Sequence, residues 1–158
     1  MLLYCFAVSR LFLCGITGKP GTTDSKQTKI IHNTALGAEQ VIPWEYCTTT
    51  VDGINSAINQ GYTPVAIETD PDAVALHKFI WPARPCIVMG NEVTGVGRSA
   101  LSLCSHKVYV PMMGMKKSMN VATCFSLVAY ECSMSLLNQE HGSIDAGLDV
   151  MTNSPLSL

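Results

Sequence analysis

A helix with no polar side must be covered on every side, and this chain contains one. From Met119 to Tyr130 no residue is charged, and Met119, Val121, Phe125, Leu127, Val128 and Tyr130 point around nearly the whole circumference of the helix their spacing predicts. A strand and a hinge precede it. Val108, Tyr109 and Val110 are β-branched or aromatic, and Pro111 lacks the N–H a ladder would need, so the strand ends there. Gly114 permits a tight bend, and Ser118 is placed to cap the helix by accepting a backbone N–H with its hydroxyl. Ser118, Asn120, Thr123 and Ser126 interrupt the apolar surface and the uncharged run is short for a bilayer, so no membrane span is expected.

The rest of the chain reads as the sheet that receives this helix. Val8 to Leu13 is a predicted strand, followed from Cys14 to Gly21 by a loop dense in glycine and proline. Residues 24–27 form a polar linker, and Ile30, Ile31, Thr34 and Ala35 sit at helical spacing before a stop at Gly37. Thr48 to Thr50 offer caps for a helix through Asp52, Ile54, Ala57 and Ile58 that ends at Gly61. Thr63 to Glu68 is the next strand, and Asp70 to Arg84 reads as a connection with one helical turn. Cys86 to Met89 is a short buried strand running into Gly90, and a short helix from Arg98 to Cys104 returns the chain to the Val108 strand. Strands and helices in alternation argue for a parallel α/β sheet, which binds its ligands at the C-terminal ends of the strands. Past Glu131 the period fades. The last helix is expected to fray near Glu140, leaving residues 1–137 as one domain and residues 138–158 as a disordered tail.

Composition narrows the partners. Hydrophobic residues make up 47% of the 158 and charged ones 14%, a surplus that points to an oligomer interface. The net charge of −2 gives no global attraction for nucleic acid, so any RNA contact must come from local patches. The seven cysteines are odd in number, form no C-x-x-C pair and sit in apolar runs; reduced thiols in a cytoplasmic compartment fit better than disulfides or metal ligation. His32, His77, His106 and His141 form no ligand spacing with one another or with the cysteines, so no metal is expected. Arg10 falls inside the apolar start of the chain, which argues against a secretory signal. Trp44 and Tyr46 read as packing residues in preference to base-stacking ones.

The strand, hinge and helix from Val108 to Val121 also resemble a family motif, "I-P-M-x-G-x-x-x-S-L-N-V", the third motif of SpoU-type RNA ribose 2′-O-methyltransferases of the SPOUT class. Upstream, Cys86-Ile87-Val88-Met89-Gly90-Asn91-Glu92-Val93-Thr94-Gly95-Val96 is similar to that family's second motif, "L-V-x-G-N-E-x-x-G-V", at the family's distance from the third. The resemblance covers roughly Phe6 to Glu131. It implies a Rossmann-like, parallel-sheet SPOUT fold with a C-terminal trefoil knot, the helix from Ser118 being threaded through the preceding loop, and a twofold dimer. The family ordinarily has a further strand and helix upstream, carrying "N-x-G-A-x-x-R-T-A". This chain begins about where that helix should end, so the fold is expected to be N-terminally truncated and to lack the arginine thought to assist the attacking ribose.

The activity implied is S-adenosylmethionine-dependent 2′-O-methylation of a ribose in tRNA or rRNA. The alternatives are a non-catalytic relative that binds cofactor or RNA, or a truncated product. By resemblance, Gly90, Val110, Pro111, Met112 and Met119 hold the cofactor, and Glu92, Ser118 and Asn120 serve the reaction. Lys116, Lys117 and Arg98 would contact RNA phosphates. A 2′-hydroxyl is a poor nucleophile, so the chemistry needs in-line placement and a proton acceptor, which the missing arginine leaves unassigned. Ser118 as a mere helix cap and Asn120 as a loop stitch stand beside those readings. Gly90 to Gly97 is not a nucleotide phosphate loop, since it lacks both G-x-G-x-x-G and a G-K-[ST] ending.

Overall fold

The computed structural model describes residues 6, 8–15, 17, 42–91, 94–115 and 118–141. In chain order these form β1 (Leu11–Cys14), β2 (Trp44–Cys47), α1 (Thr50–Asn59), β3 (Thr63–Ile67) and β4 (Val74–Ala75). A 3-10 turn (Leu76–Lys78) follows, then β5 (Pro85–Met89), α2 (Arg98–Leu101), β6 (His106–Tyr109) and α3 (Val121–His141). The helix predicted around residues 28–35 lies outside the described residues.

Among the described residues every strand pairing is parallel, as the alternation of strands and helices requires. One sheet has the order β4-β6-β3-β5 and the other joins β1 to β2. Among the described residues, the outer edges of β5 and β1 pair with no further strand. The period-two geometry of β3 sorts the core into two layers. Val65 and Ile67 point to one face, where they meet Leu76, Trp81, Val108 and the α3 residues Val128 and Cys132. Ala66 points to the other, beside Ile54 of α1, Val88, Val96 and Ala100 of α2. Helices thus cover both faces of the larger sheet.

α1 is specified locally at both ends. The Thr49 hydroxyl accepts the Asp52 N–H at 3.1 Å while the Asp52 carboxylate accepts the Thr49 N–H at 3.0 Å, a capping box. At the other end Gly61 adopts φ +79°, and the Gly61 and Tyr62 N–H groups close onto the carbonyls of Ile58 and Ala57. The same helix touches strands of both sheets. Its Gly53 lies so close to the paired Cys14 and Cys47 that a Cβ there would stand 2.7 Å from the Cys14 sulfur.

α3 departs from expectation in two ways. It is buried on one face only: Val128, Ala129 and Cys132 are withdrawn from solvent, whereas Leu127, Tyr130, Met134 and Leu137 are 39–52% exposed. Helix periodicity reports which sides are apolar and does not say whether the same chain covers them. The helix also begins at Val121, with the Asn120 side chain accepting the Ala122 N–H at 2.9 Å, so Asn120 and not Ser118 caps it. By length and composition Val121–Gln139 could cross a membrane, contrary to expectation, but its inner face is committed to the sheet and Gln139 donates to the Trp81 carbonyl at 3.0 Å. The helix continues to His141, and residues 142–158 lie outside the described part of the chain.

The remaining differences are small. β1 starts at Leu11 and β6 ends at Tyr109, within the usual latitude of strand ends. β4, two residues long, had no period from which to be read. The Tyr46 hydroxyl donates to the Gly15 carbonyl at 2.7 Å, a structural bond, while Trp44 is partly exposed. Cys14, Cys47, Cys86, Cys104, Cys124 and Cys132 are free thiols.

Candidate functional site

Parallel strands deliver their C-terminal ends to one side, and here β3, β5 and β6 open there into a cleft of about 320 Å³. Ile67, Glu68 and Thr69 come from the end of β3, and Met89, Gly90, Asn91, Thr94 and Gly95 from the loop after β5. Tyr109, Val110 and Met112 follow β6, and Ser118, Met119, Val121 and Cys124 close the wall at the start of α3. The walls combine apolar side chains with a few polar groups, the usual make-up of a small-molecule site, and the volume is near the lower end of such sites, roughly 300–1,000 Å³. Burial pushes the Cys124 thiol above its ordinary 9.0, so it lines the cleft as a neutral group.

The loop after β5 is shaped by bonds within itself and to β3. Asn91 and Gly95 exchange both backbone bonds, N–H to carbonyl, at 3.0 and 2.8 Å, folding the loop back on itself. A side chain on Gly90 would overlap the backbone of Gly95. The glycine is therefore demanded by the loop's own close approach, besides any ligand beside it. Gly95 has φ +67°, and a Cβ there would run into the carboxylate of Glu68. That carboxylate accepts the Val96 N–H at 2.7 Å and the Thr69 N–H at 3.0 Å.

The structure brings Gly90, Val110, Met112, Ser118 and Met119 into one cleft, although they come from two separate sequence motifs. Pro111 sits between two lining residues without lining the cleft itself. Asn120 stands at its rim as the α3 cap. Arg98 begins α2, outside the lining. Glu92, Lys116 and Lys117 lie outside the described residues. Glu68 and Thr69 were missed as site residues, and the available signal was a carboxylate closing an otherwise apolar strand. Beyond the cleft, Asp70 is held below the usual carboxylate range by the Asp72 N–H and then by Lys107, whose ammonium is 3.1 Å away.

The fold has known counterparts. A family model described as the SpoU rRNA Methylase family matches residues 3–130. The tRNA (guanosine(18)-2′-O)-methyltransferase of Escherichia coli (strain K12) is 29% identical over 122 residues, covering 77% of this chain and 50% of that protein; the chain spans about half the length of that relative. Among solved structures, the A. aeolicus TrmH/SpoU tRNA modifying enzyme superposes with a TM-score of 0.67 at 22% identity, over 89% of this chain and 67% of that one. The SpoU methyltransferase AviRb from Streptomyces viridochromogenes, in complex with AdoMet, gives 0.69 at 17% identity, over 87% of this chain and 53% of that one.

Proposed function

The chain belongs to the SpoU rRNA Methylase family, and from that premise we propose that it methylates a ribose 2′-hydroxyl of tRNA or rRNA with S-adenosylmethionine. The observation that carries the reading is the convergence of Gly90, Val110, Met112, Ser118 and Met119 on one cleft at the strand ends. The residues present fit such a cofactor: Ile67, Met89, Val110 and Met119 offer apolar walls for an adenine ring, and the loop backbones offer polar edges to fix it. When bound, the cofactor supplies an electrophilic methyl group on a sulfonium. The chain's part is to exclude water with the methionine-rich wall and to place the ribose in line, with the Ser118 hydroxyl lining the cleft and Asn120 holding the start of α3, while Glu92 orients loop and substrate as the family resemblance implies. Pro111 fixes the exit from β6 between two cofactor-contacting residues. Lys116, Lys117 and Arg98 bind RNA phosphates, the local contacts that a chain of net charge −2 needs in place of a global attraction.

The finer reading adds a knot and a dimer. The helix that follows Ser118 is threaded through the preceding loop as a trefoil knot, a reading supported by the family match over residues 3–130; an experimental structure in which it passes outside that loop would refute the knot. A second copy of the chain covers the exposed stripe of α3, and the protein is cytoplasmic, in keeping with its free thiols.

The test is calorimetry with S-adenosylmethionine, followed by transfer of labelled methyl groups to bulk tRNA and rRNA. Transfer is measured for the chain alone and for the chain extended at its N-terminus by the family's strand–helix segment. Binding with transfer in either form supports the reading. Binding without transfer in both leaves a non-catalytic relative, and a folded protein that binds no cofactor refutes it.

A further inference from the structure

Resting on the cofactor reading above, we infer that Glu68 is a positioning residue whose carboxylate ties the 94–97 turn to the end of β3 and so sets the width of the cofactor cleft. It is the one carboxylate among the described lining residues, and it uses both oxygens. Oε1 accepts the N–H of its neighbour Thr69 at 3.0 Å, which fixes the rotamer; Oε2 reaches across to the Val96 N–H at 2.7 Å. Val96 is itself buried, in the layer with Ile54, Val88 and Ala100, so the turn is anchored below by its side chain and above by Glu68.

Two close approaches connect this bond to the cleft. Gly95 has no room for a side chain because Glu68 is there, Gly90 has none because Gly95 is there, and Gly90 faces the cleft. The chain of contacts runs from a carboxylate just past β3 through two glycines to the cofactor wall. Bonds between an ionised acceptor and a backbone N–H are among the stronger kind. Glutamine has the same shape but only one acceptor oxygen, so Glu68→Gln turns an NH₂ group toward one of the two N–H donors and releases the turn.

Calorimetry with S-adenosylmethionine and with S-adenosylhomocysteine on the wild type, Glu68→Gln and Glu68→Asp decides it. Both variants are expected to weaken binding by about tenfold or more, which is about 1.4 kcal/mol. In methyl transfer, the cofactor KM rises while the RNA KM and the kcat at saturating cofactor hold. Hydrogen exchange at the Val96 amide accelerates, while exchange at Val65 and Val108 in the core does not change. Aspartate keeps the charge and loses the reach, so it tests position apart from charge and stands in if glutamine disturbs folding. Wild-type binding in both variants overturns the inference. Failure of the wild type itself to bind either nucleoside overturns the cofactor reading, and the inference falls with it.

Discussion

Oδ1 of Asn120 accepts the backbone N–H of Ala122 at 2.9 Å, and the Asn120 carbonyl accepts the Cys124 N–H at 2.9 Å. Asn120 thus starts α3, while Ser118, two residues earlier, faces the cleft. Separate experiments follow for the two residues. Asn120→Ala should lower unfolding free energy by about 1 kcal/mol, the usual cost of a lost cap. Ser118→Ala should change it by less than about 0.5 kcal/mol yet reduce methyl transfer. Denaturant melts and single-turnover transfer measure both; equal stability losses would mean that Ser118 also caps.

Gly90 is the tightest point of the loop after β5, since a Cβ there meets the backbone of Gly95. Backbone cannot swing aside as a flexible side chain can. Gly90→Ala should cost about 1–3 kcal/mol of stability as overpacking and abolish cofactor binding. A thermal melt with a parallel titration of S-adenosylhomocysteine checks this, and an alanine variant that binds normally would show that the loop yields.

Leu127, Tyr130, Met134 and Leu137 recur at alternating steps of three and four along α3, all on its outer face. That spacing makes the seam along which one helix packs on another. In sedimentation at micromolar concentration the chain should run as a twofold dimer and Leu127→Asp with Met134→Asp as a monomer. A wild type that stays monomeric would remove the second copy as the covering partner.

Burial pushes Cys132 from its ordinary 9.0 to about 11, and burial, helped by Cys104 and Cys14, does the same to Cys86. The native state therefore keeps its thiols protonated where the unfolded chain releases them. The stability this contributes is fully present below about pH 9 and is lost as pH rises from there to about 11. Urea midpoints across that range should fall, and Cys132→Ala should flatten the decline relative to the wild type. Parallel curves for the two proteins would assign the fall to other groups.

Much of this was legible in the sequence because the signals are local. Thr49 and Asp52 write the start of α1, Gly61 its end, and the runs before Gly90 and Pro111 the strands that lead to the cleft. What escaped was non-local. The bond from Glu68 to Val96 joins residues with no fixed spacing, and the Val74–Ala75 strand exists only because Val108 and Tyr109 of β6 lie beside it. The outer face of α3 is apolar in sequence for a reason the single chain does not display. The cap was expected at Ser118 and lies at Asn120; both residue types cap well, so propensity alone does not place it.

A sheet whose neighbours all run the same way is assembled from distant parts of the chain: Thr63 meets Pro85, Val65 meets His106, and Val74 meets Val108. No hairpin can nucleate it, and each pairing must first close a long loop against entropy. Such a chain folds slowly and leaves adhesive strand edges open meanwhile, so dilution and low temperature during refolding should govern recovery of soluble protein more than the final stability does.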